Sequence, residues 1–298
     1  MWLSSILNSL SPSSPHTRAR HRPSRRQRPA APRLTLEALE DRVLLSYTIT
    51  PIADTGPGSP YGGLVVGQAI NDLGQVAFVA DLKSGGEAIY RTEDDGRLTT
   101  ISQANGKIRD FYLSPYMNDS GTVVFGADLT DGTQALFTGT GDGLTRIAGT
   151  GPDSPISSLP PPAARIGSDG AVTFQALLSS GGKGFFRGDG GLLSILYVTG
   201  GRYSAFPGSP ASQIHGDTVA FRATLTGGPD GVFRGNGLHT DTIVTAGDTY
   251  SSFLGSEIND EGTVGIIANL SHPAGGQAIV IAKDGMPLTT FCGHERSL

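Results

Sequence analysis

Three arginines recur at one position of a repeated segment and are the candidate ligand-binding residues of this chain. They are Arg91, Arg187 and Arg234, and each lies in the same apolar run of its repeat. If the repeats pack around a common axis, guanidinium groups at one repeat position would line a rim or channel and attract anions. The alternative is cross-strand pairing with the recurrent Asp and Glu residues, which the sequence favours.

Aspartate-rich turns are the second set of candidates. They occupy residues 92–97, 129–133, 167–171 and 259–262. Oxygen ligands from such turns can bind calcium, but a complete Asp-x-Asp-x-Asp-Gly loop with a distal Glu is not found. Asp and Gly are also the residues expected in hairpin turns. We therefore predict no cofactor, with calcium as the alternative.

Catalytic motifs are not recognisable in the sequence. The six histidines form no HxH or HExxH pattern, and no GxSxG or P-loop motif occurs. A single cysteine, Cys292, excludes an internal disulfide and a Cys-based zinc cluster. We predict no catalytic residues and no metal site, although a Ser-His-Asp triad stays open because its members need not be close in sequence.

The composition points to short strands joined by tight turns. The 298 residues include 43 Gly and 19 Pro, and only 16% of the residues are charged. Residues 1–46 carry eight Arg and three acids, whereas residues 47–298 carry 14 basic and 24 acidic groups. The acidic part is not expected to bind nucleic acid, because phosphate contacts need clustered cations. No apolar run reaches the length of about 18 residues that predicts a transmembrane helix.

A repeat of about 47 residues fills the chain after residue 60. Its five cores are residues 70–82, 117–129, 166–178, 214–225 and 258–270. The predicted core positions are Phe78, Phe125, Phe174, Phe221 and Ile266. The predicted turn positions are Asn71, Gly74, Asn118, Gly121, Gly170, Asn259 and Gly262. The Asn can hydrogen-bond to its own backbone, and the Gly can adopt the positive φ that a hairpin turn needs.

Each repeat contains three β-branched and aromatic runs and a variable stretch that is either a fourth strand or a long loop. This is the size of one propeller blade. We predict an all-β domain over residues 47–298, a β-propeller of about five blades. The alternatives are six blades or an open solenoid of β-hairpins. Residues 47–60 match residues 144–155, which predicts an N-terminal strand that pairs into the last blade and closes the ring.

The first 46 residues differ from the rest. Residues 1–33 are rich in Arg, Pro and Ser, which predicts a disordered tail. Residues 34–46 predict a short amphipathic helix. This segment resembles the planctomycete-type sorting motif LExLExRxLLS, which implies a secreted or surface protein and removal of the segment near Ser46. The matching residues are Leu36, Glu37, Leu39, Glu40, Arg42, Leu44 and Leu45.

The repeat resembles the tandem NxxGxxxF family of secreted planctomycete proteins with variable anchors. Asn71, Gly74 and Phe78 carry the pattern in the first copy, whereas the third copy has Gly167 in place of Asn. The resemblance implies a surface location and a repeat fold, and no chemistry. We predict a binding or structural module whose partner is an extracellular protein or polysaccharide. Whether the protein is an enzyme is left open, and enzyme activity is the less favoured interpretation. The alternative is a secreted propeller enzyme that acts on glycans as a hydrolase or lyase.

Overall fold

The computed structural model describes residues 49–65, 67–112, 114–161, 164–207, 214–271 and 275–291. The chain divides into two compact units, residues 1–49 and 50–298. The predicted tail, the sorting-motif helix and Cys292 lie outside the described residues. The described residues form strands and turns and no helix, which confirms the all-β prediction.

In the part of the chain that the structure describes, twenty-four strands form five antiparallel sheets, one for each repeat. The first sheet contains β1 (Tyr61–Leu64), β2 (Ala69–Ile70), β3 (Val76–Leu82), β4 (Glu87–Thr92) and β5 (Leu98–Gln103). The second contains β6 (Ile108–Phe111), β7 (Tyr116–Met117), β8 (Val123–Leu129), β9 (Gln134–Gly139) and β10 (Leu144–Gly149). The third contains β11 (Ile156–Ser158), β12 (Ala164–Ile166), β13 (Val172–Leu178), β14 (Lys183–Gly188) and β15 (Ser194–Val198). The fourth contains β16 (Tyr203–Ala205), β17 (Ile214–His215), β18 (Thr218–Leu225), β19 (Asp230–Gly235) and β20 (Thr240–Thr245). The fifth contains β21 (Tyr250–Ile258), β22 (Val264–Leu270), β23 (Gln277–Ala282) and β24 (Thr289–Phe291).

The variable stretch of each repeat supplies a fourth strand. In the first four sheets this strand is in two pieces, such as β1 and β2, which both pair with β3. In the fifth sheet the same position holds the single nine-residue strand β21. Each sheet therefore has four strand positions, and the variable strand lies beside the first strand of the repeat core.

An aromatic pair crosses the two central strands of each of the first four sheets. Phe174 lies opposite Phe186 in the third sheet, and their rings stack with centroids 5.3 Å apart. The equivalent pairs are Phe78 with Tyr90, Phe125 with Phe137, and Phe221 with Phe233. Ile266 opposite Val280 replaces the aromatic pair in the fifth sheet. We call the face that carries these pairs the front face of a sheet and the opposite face the back face.

The back face of one sheet packs against the front face of the next. In the first contact, Val79 and Ile89 of the first sheet are buried in one cluster with Phe125 of the second. Three further clusters join the second sheet to the third, the third to the fourth and the fourth to the fifth. Successive side chains of a strand point to opposite faces of its sheet. A strand that is apolar on both faces can therefore pack against the sheet before it and the sheet after it.

The predicted N-terminal strand is not formed in residues 49–60, and no described residue of this segment pairs with the fifth sheet. Within the described residues, strand pairing therefore does not close the sheets into a ring. The physical reason is local: Pro51 has no N–H to donate to a sheet. The backbone beyond it folds into a turn in which Ser59 N–H donates to the Gly56 carbonyl at 3.2 Å. Ala53 packs instead against the cluster of Tyr61 and Phe78.

The part of the chain that the structure describes includes no helix long and apolar enough to span a membrane.

Replacing Phe174 by Ala should lower the free energy of unfolding by about 3–5 kcal/mol, because the side chain is fully buried and stacked on Phe186. The replacement Leu192→Ala is the control, since Leu192 is 95% exposed, and its effect should stay within about 0.5 kcal/mol. Urea titration followed by circular dichroism measures both values. Equal losses for the two variants would contradict the assigned core.

Candidate functional site

The Asn-x-x-Gly segments form tight turns directly before the first central strand of their sheets. In the first turn, Gly74 N–H donates to the Asn71 carbonyl at 3.0 Å, and Gly74 has φ of 77°. The Asn71 Oδ1 atom accepts a hydrogen bond from Gln75 N–H at 2.9 Å. The Oδ1 atoms of Asn118 and Asn259 make the same contact four residues along the chain. The side chain thus fixes its own turn.

The same asparagine side chains also link neighbouring sheets. Asn71 Nδ2 donates to the backbone carbonyl of Asn118 at 3.2 Å, and Asn118 Nδ2 donates to that of Gly167 at 2.9 Å. Both asparagines are buried. The links end at the third sheet, because Gly167 has no side chain to continue them. In the fourth repeat, two residues between His215 and Thr218 form the turn instead. His215 and Thr218 pair with each other across it.

These turns line a common cavity of about 240 Å³. Its lining comes from four sheets: residues 70–72 from the first, 116–119 from the second, 165–168 from the third, and 259–260 from the fifth. Asp72, Asp119 and Asp260 follow the turn asparagines and are exposed at the cavity. Asp119 Oδ1 also accepts a hydrogen bond from Asp72 N–H at 2.9 Å.

The lining also includes the cationic side chain of Arg165. The guanidinium carbon of Arg165 lies 3.7 Å from the centroid of the Tyr116 ring, a cation–π contact. Arg165 also donates from Nη1 to the carbonyl of Ala164 at 3.1 Å. The cavity therefore offers carboxylates, amides, an aromatic ring and one guanidinium group to a ligand.

Tyr116 and Arg165 were not among the predicted site residues, since they lie in the variable stretch. One signal was present: each stands two residues before the turn position occupied by Asn118 or Gly167. Residues on the short strand directly before a repeated turn lie at the cavity together with that turn.

The three recurrent arginines lie elsewhere and contact protein groups. Arg91 donates from Nη1 to the Gly121 carbonyl of the next sheet and from Nη2 to Glu93 at 2.7 Å. Arg234 donates to the Gly262 carbonyl of the fifth sheet at 3.3 Å. Arg91 and Arg234 thus cross from one sheet to the turn of the next.

Arg187 and Arg234 also form ion pairs with acidic side chains. Arg187 pairs with Asp169 at 2.6 Å. Arg234 pairs with Asp284 at 2.5 Å, and this hydrogen bond lowers the pKa of the Asp284 carboxyl and raises that of the guanidinium group. These contacts lie between strands and between sheets. They occupy some of the hydrogen-bond donors of all three guanidinium groups.

Among the described residues, no group of three or more His, Cys, Asp or Glu side chains is arranged to hold a metal ion.

The inter-sheet hydrogen bond of Asn118 can be tested with Asn118→Asp. The new carboxyl keeps the Oδ1 acceptor but loses the donor to Gly167, so the free energy of unfolding at pH 7 should fall by roughly 1–3 kcal/mol. Burial against a carbonyl raises the folded-state pKa of this carboxyl, so the folded state binds more protons. The loss should therefore be smaller at pH 4 than at pH 7.

The matched control is Asn259→Asp. Asn259 makes the same turn contact through Oδ1, is exposed, and its Nδ2 has no hydrogen-bond acceptor among the described residues. Denaturant titration at both pH values should show a change within about 0.5 kcal/mol. A loss equal to that of Asn118→Asp would show that the turn, and not the inter-sheet hydrogen bond, carries the effect.

Comparisons with solved structures give propeller neighbours. The β-propeller domain of the Trilobed protease from Pyrococcus furiosus is 11% identical with a TM-score of 0.49, over 76% of this chain and 68% of that one. Prolyl oligopeptidase B from Galerina marginata is 11% identical with a TM-score of 0.52, over 76% of this chain and 35% of that one. At this identity the likeness concerns the fold alone.

A comparison with curated proteins found no match. The pattern of one family, described as a family of unknown function, DUF7453, matches residues 70–285. This range includes all five sheets except β1, the first residue of β2, and β24. This chain belongs to the family DUF7453.

Proposed function

We propose that this chain is a secreted or cell-surface β-propeller of five blades that binds a polar ligand in the cavity at the turns. The observation that carries the proposal is the convergence of side chains from four sheets on one cavity. A cavity shared by several repeats is the usual place for a binding site between packed elements.

The lining favours a carbohydrate or a polar group of a protein. Asp72, Asp119 and Asp260 supply hydrogen-bond acceptors, Arg165 supplies donors, and Tyr116 supplies an aromatic surface. The volume of about 240 Å³ is below that of sites for drug-sized molecules. It suits one sugar unit or one side chain of a longer polymer.

A glycan hydrolase or lyase is the second candidate. It is favoured by one observation, the three exposed aspartates that different sheets bring to the cavity. Hydrolysis of a glycosidic bond needs two carboxyl groups on opposite sides of the scissile bond.

Replacing Asp260 by Ala should weaken binding about tenfold, because a charged ligand contact contributes roughly 1.5 kcal/mol or more and Asp260 is exposed at the cavity. Isothermal titration of soluble polysaccharides, chosen by a glycan-array screen of the wild-type protein, measures the affinity. Asp142→Ala, an exposed position between β9 and β10, is the control and should bind as the wild type does.

The same titration mixtures separate the two candidates. New reducing ends or unsaturated products, lost in Asp260→Ala, would favour the enzyme over the binding module. Binding without product supports the module. If the wild-type protein binds no glycan of the array and no protein of a matching array of extracellular proteins, a ligand site in this cavity is contradicted.

The proposed location rests on the sorting-motif residues 36–45. We expect the protein in the surface or medium fraction of its native cells to begin near residue 46, which intact-mass measurement of each fraction detects. A full-length species confined to the cell interior would overturn the proposed location.

A further inference from the structure

The fifth sheet has an apolar back face that no other sheet covers. Ile267, Ile279 and Phe291 lie directly opposite one another on β22, β23 and β24, and they are 42%, 48% and 55% exposed. The first sheet has Val79, Ile89 and Ile101 on its back face, which are 3%, 0% and 4% exposed beneath the second sheet. Apolar side chains of the back face are thus buried in the first sheet and partly exposed in the fifth.

On the front face of the first sheet, Phe78 and Ala80 are 8% and 0% exposed, and the exposed apolar side chains lie on the variable strand. Leu64 and Ile70, opposite Ala80 and Val76, are 45% and 70% exposed. The equivalent residues of the second sheet, Phe111 and Met117, are packed against the first sheet. In all four contacts within the chain, a back face meets a front face.

The segment that enters the first sheet repeats an internal connection. Tyr61 N–H donates to Ser59 Oγ at 3.1 Å, as Ile156 N–H does to Ser154 Oγ at the same distance. The Pro60 carbonyl accepts from Lys83 N–H, and the Pro155 carbonyl accepts from Ser179 N–H, both at 2.9 Å.

Residues 150–155 join the second sheet to the third. Because the hydrogen bonds match, the segment before the first sheet is folded like the connection that leads from the second sheet into the third.

We propose that the back face of the fifth sheet binds the front face of the first sheet in a second copy of this chain. The two faces are apolar and carry the residue positions that pack together inside the chain, and each keeps exposed apolar side chains within one copy. Contiguous exposed apolar surface is the usual mark of an interaction site. A contact between two different faces is heterologous, so it continues from copy to copy unless a ring closes.

Ile70 also lines the cavity, whereas Leu64, Ile267, Ile279 and Phe291 do not. Leu64→Lys and Ile279→Lys therefore test the contact without changing the lining of the proposed ligand site.

The test uses the full-length chain in analytical ultracentrifugation over a range of concentrations. The wild type should form dimers and larger species as its concentration rises. Ile279→Lys and Leu64→Lys each place a charge in one face, and each should weaken self-association at least about 30-fold. Ile195→Lys is the matched control, because Ile195 is 56% exposed on β15, within the array, and should associate as the wild type does.

An equal mixture of Ile279→Lys and Leu64→Lys distinguishes the possible contacts. Each variant keeps one intact face, so the mixture should form dimers and nothing larger. If Leu64→Lys alone still associates while Ile279→Lys does not, the fifth sheet binds another fifth sheet and the proposal is wrong. A wild type that stays monomeric at every concentration would also overturn it. Phe291→Lys and Ile70→Lys replace any variant whose thermal unfolding shows that it has not folded.

Discussion

A four-stranded sheet of this chain is apolar on both faces, and it can be buried only between two other sheets. Isolated sheets of this size are marginal, because burial of one face leaves the other in water. The aromatic pair on the front face and the aliphatic side chains on the back face meet four times along the chain. The stability of each repeat therefore depends on its neighbours, and the cavity exists because the packed sheets bring their turns together.

The turn asparagine connects this packing to the cavity. Its Oδ1 atom holds the turn and its Nδ2 atom reaches the next turn, as in Asn71 and Asn118. A buried amide needs partners for both groups, because an unmet donor or acceptor costs free energy away from water. The aspartate that follows is left exposed at the cavity, so one short segment supplies both a structural residue and a candidate ligand contact.

The strand-rich repeat and its core positions were accessible from the sequence because the repeat signal is strong. Phe125 and Phe174 recur at fixed spacing, and both are buried. The N-terminal segment shows where such reasoning fails. Residues 47–60 match residues 144–155 in sequence, and the turn is the same, yet residues 49–60 form no strand. A strand needs a partner edge as well as a sequence, and Pro51 removes one of the donors.

The sequence by itself determined the all-β class, the five-fold repeat and the turn chemistry, since these depend on residues close together in the chain. Only the tertiary structure decided which turns share a cavity, that Arg165 lies on Tyr116, and that Arg91 contacts the turn of the next sheet. It also decided that apolar side chains such as Leu64 and Ile279 stay exposed on the first and fifth sheets. These features depend on the positions of residues about one repeat or more apart, and local propensity carries no information on how whole sheets are placed.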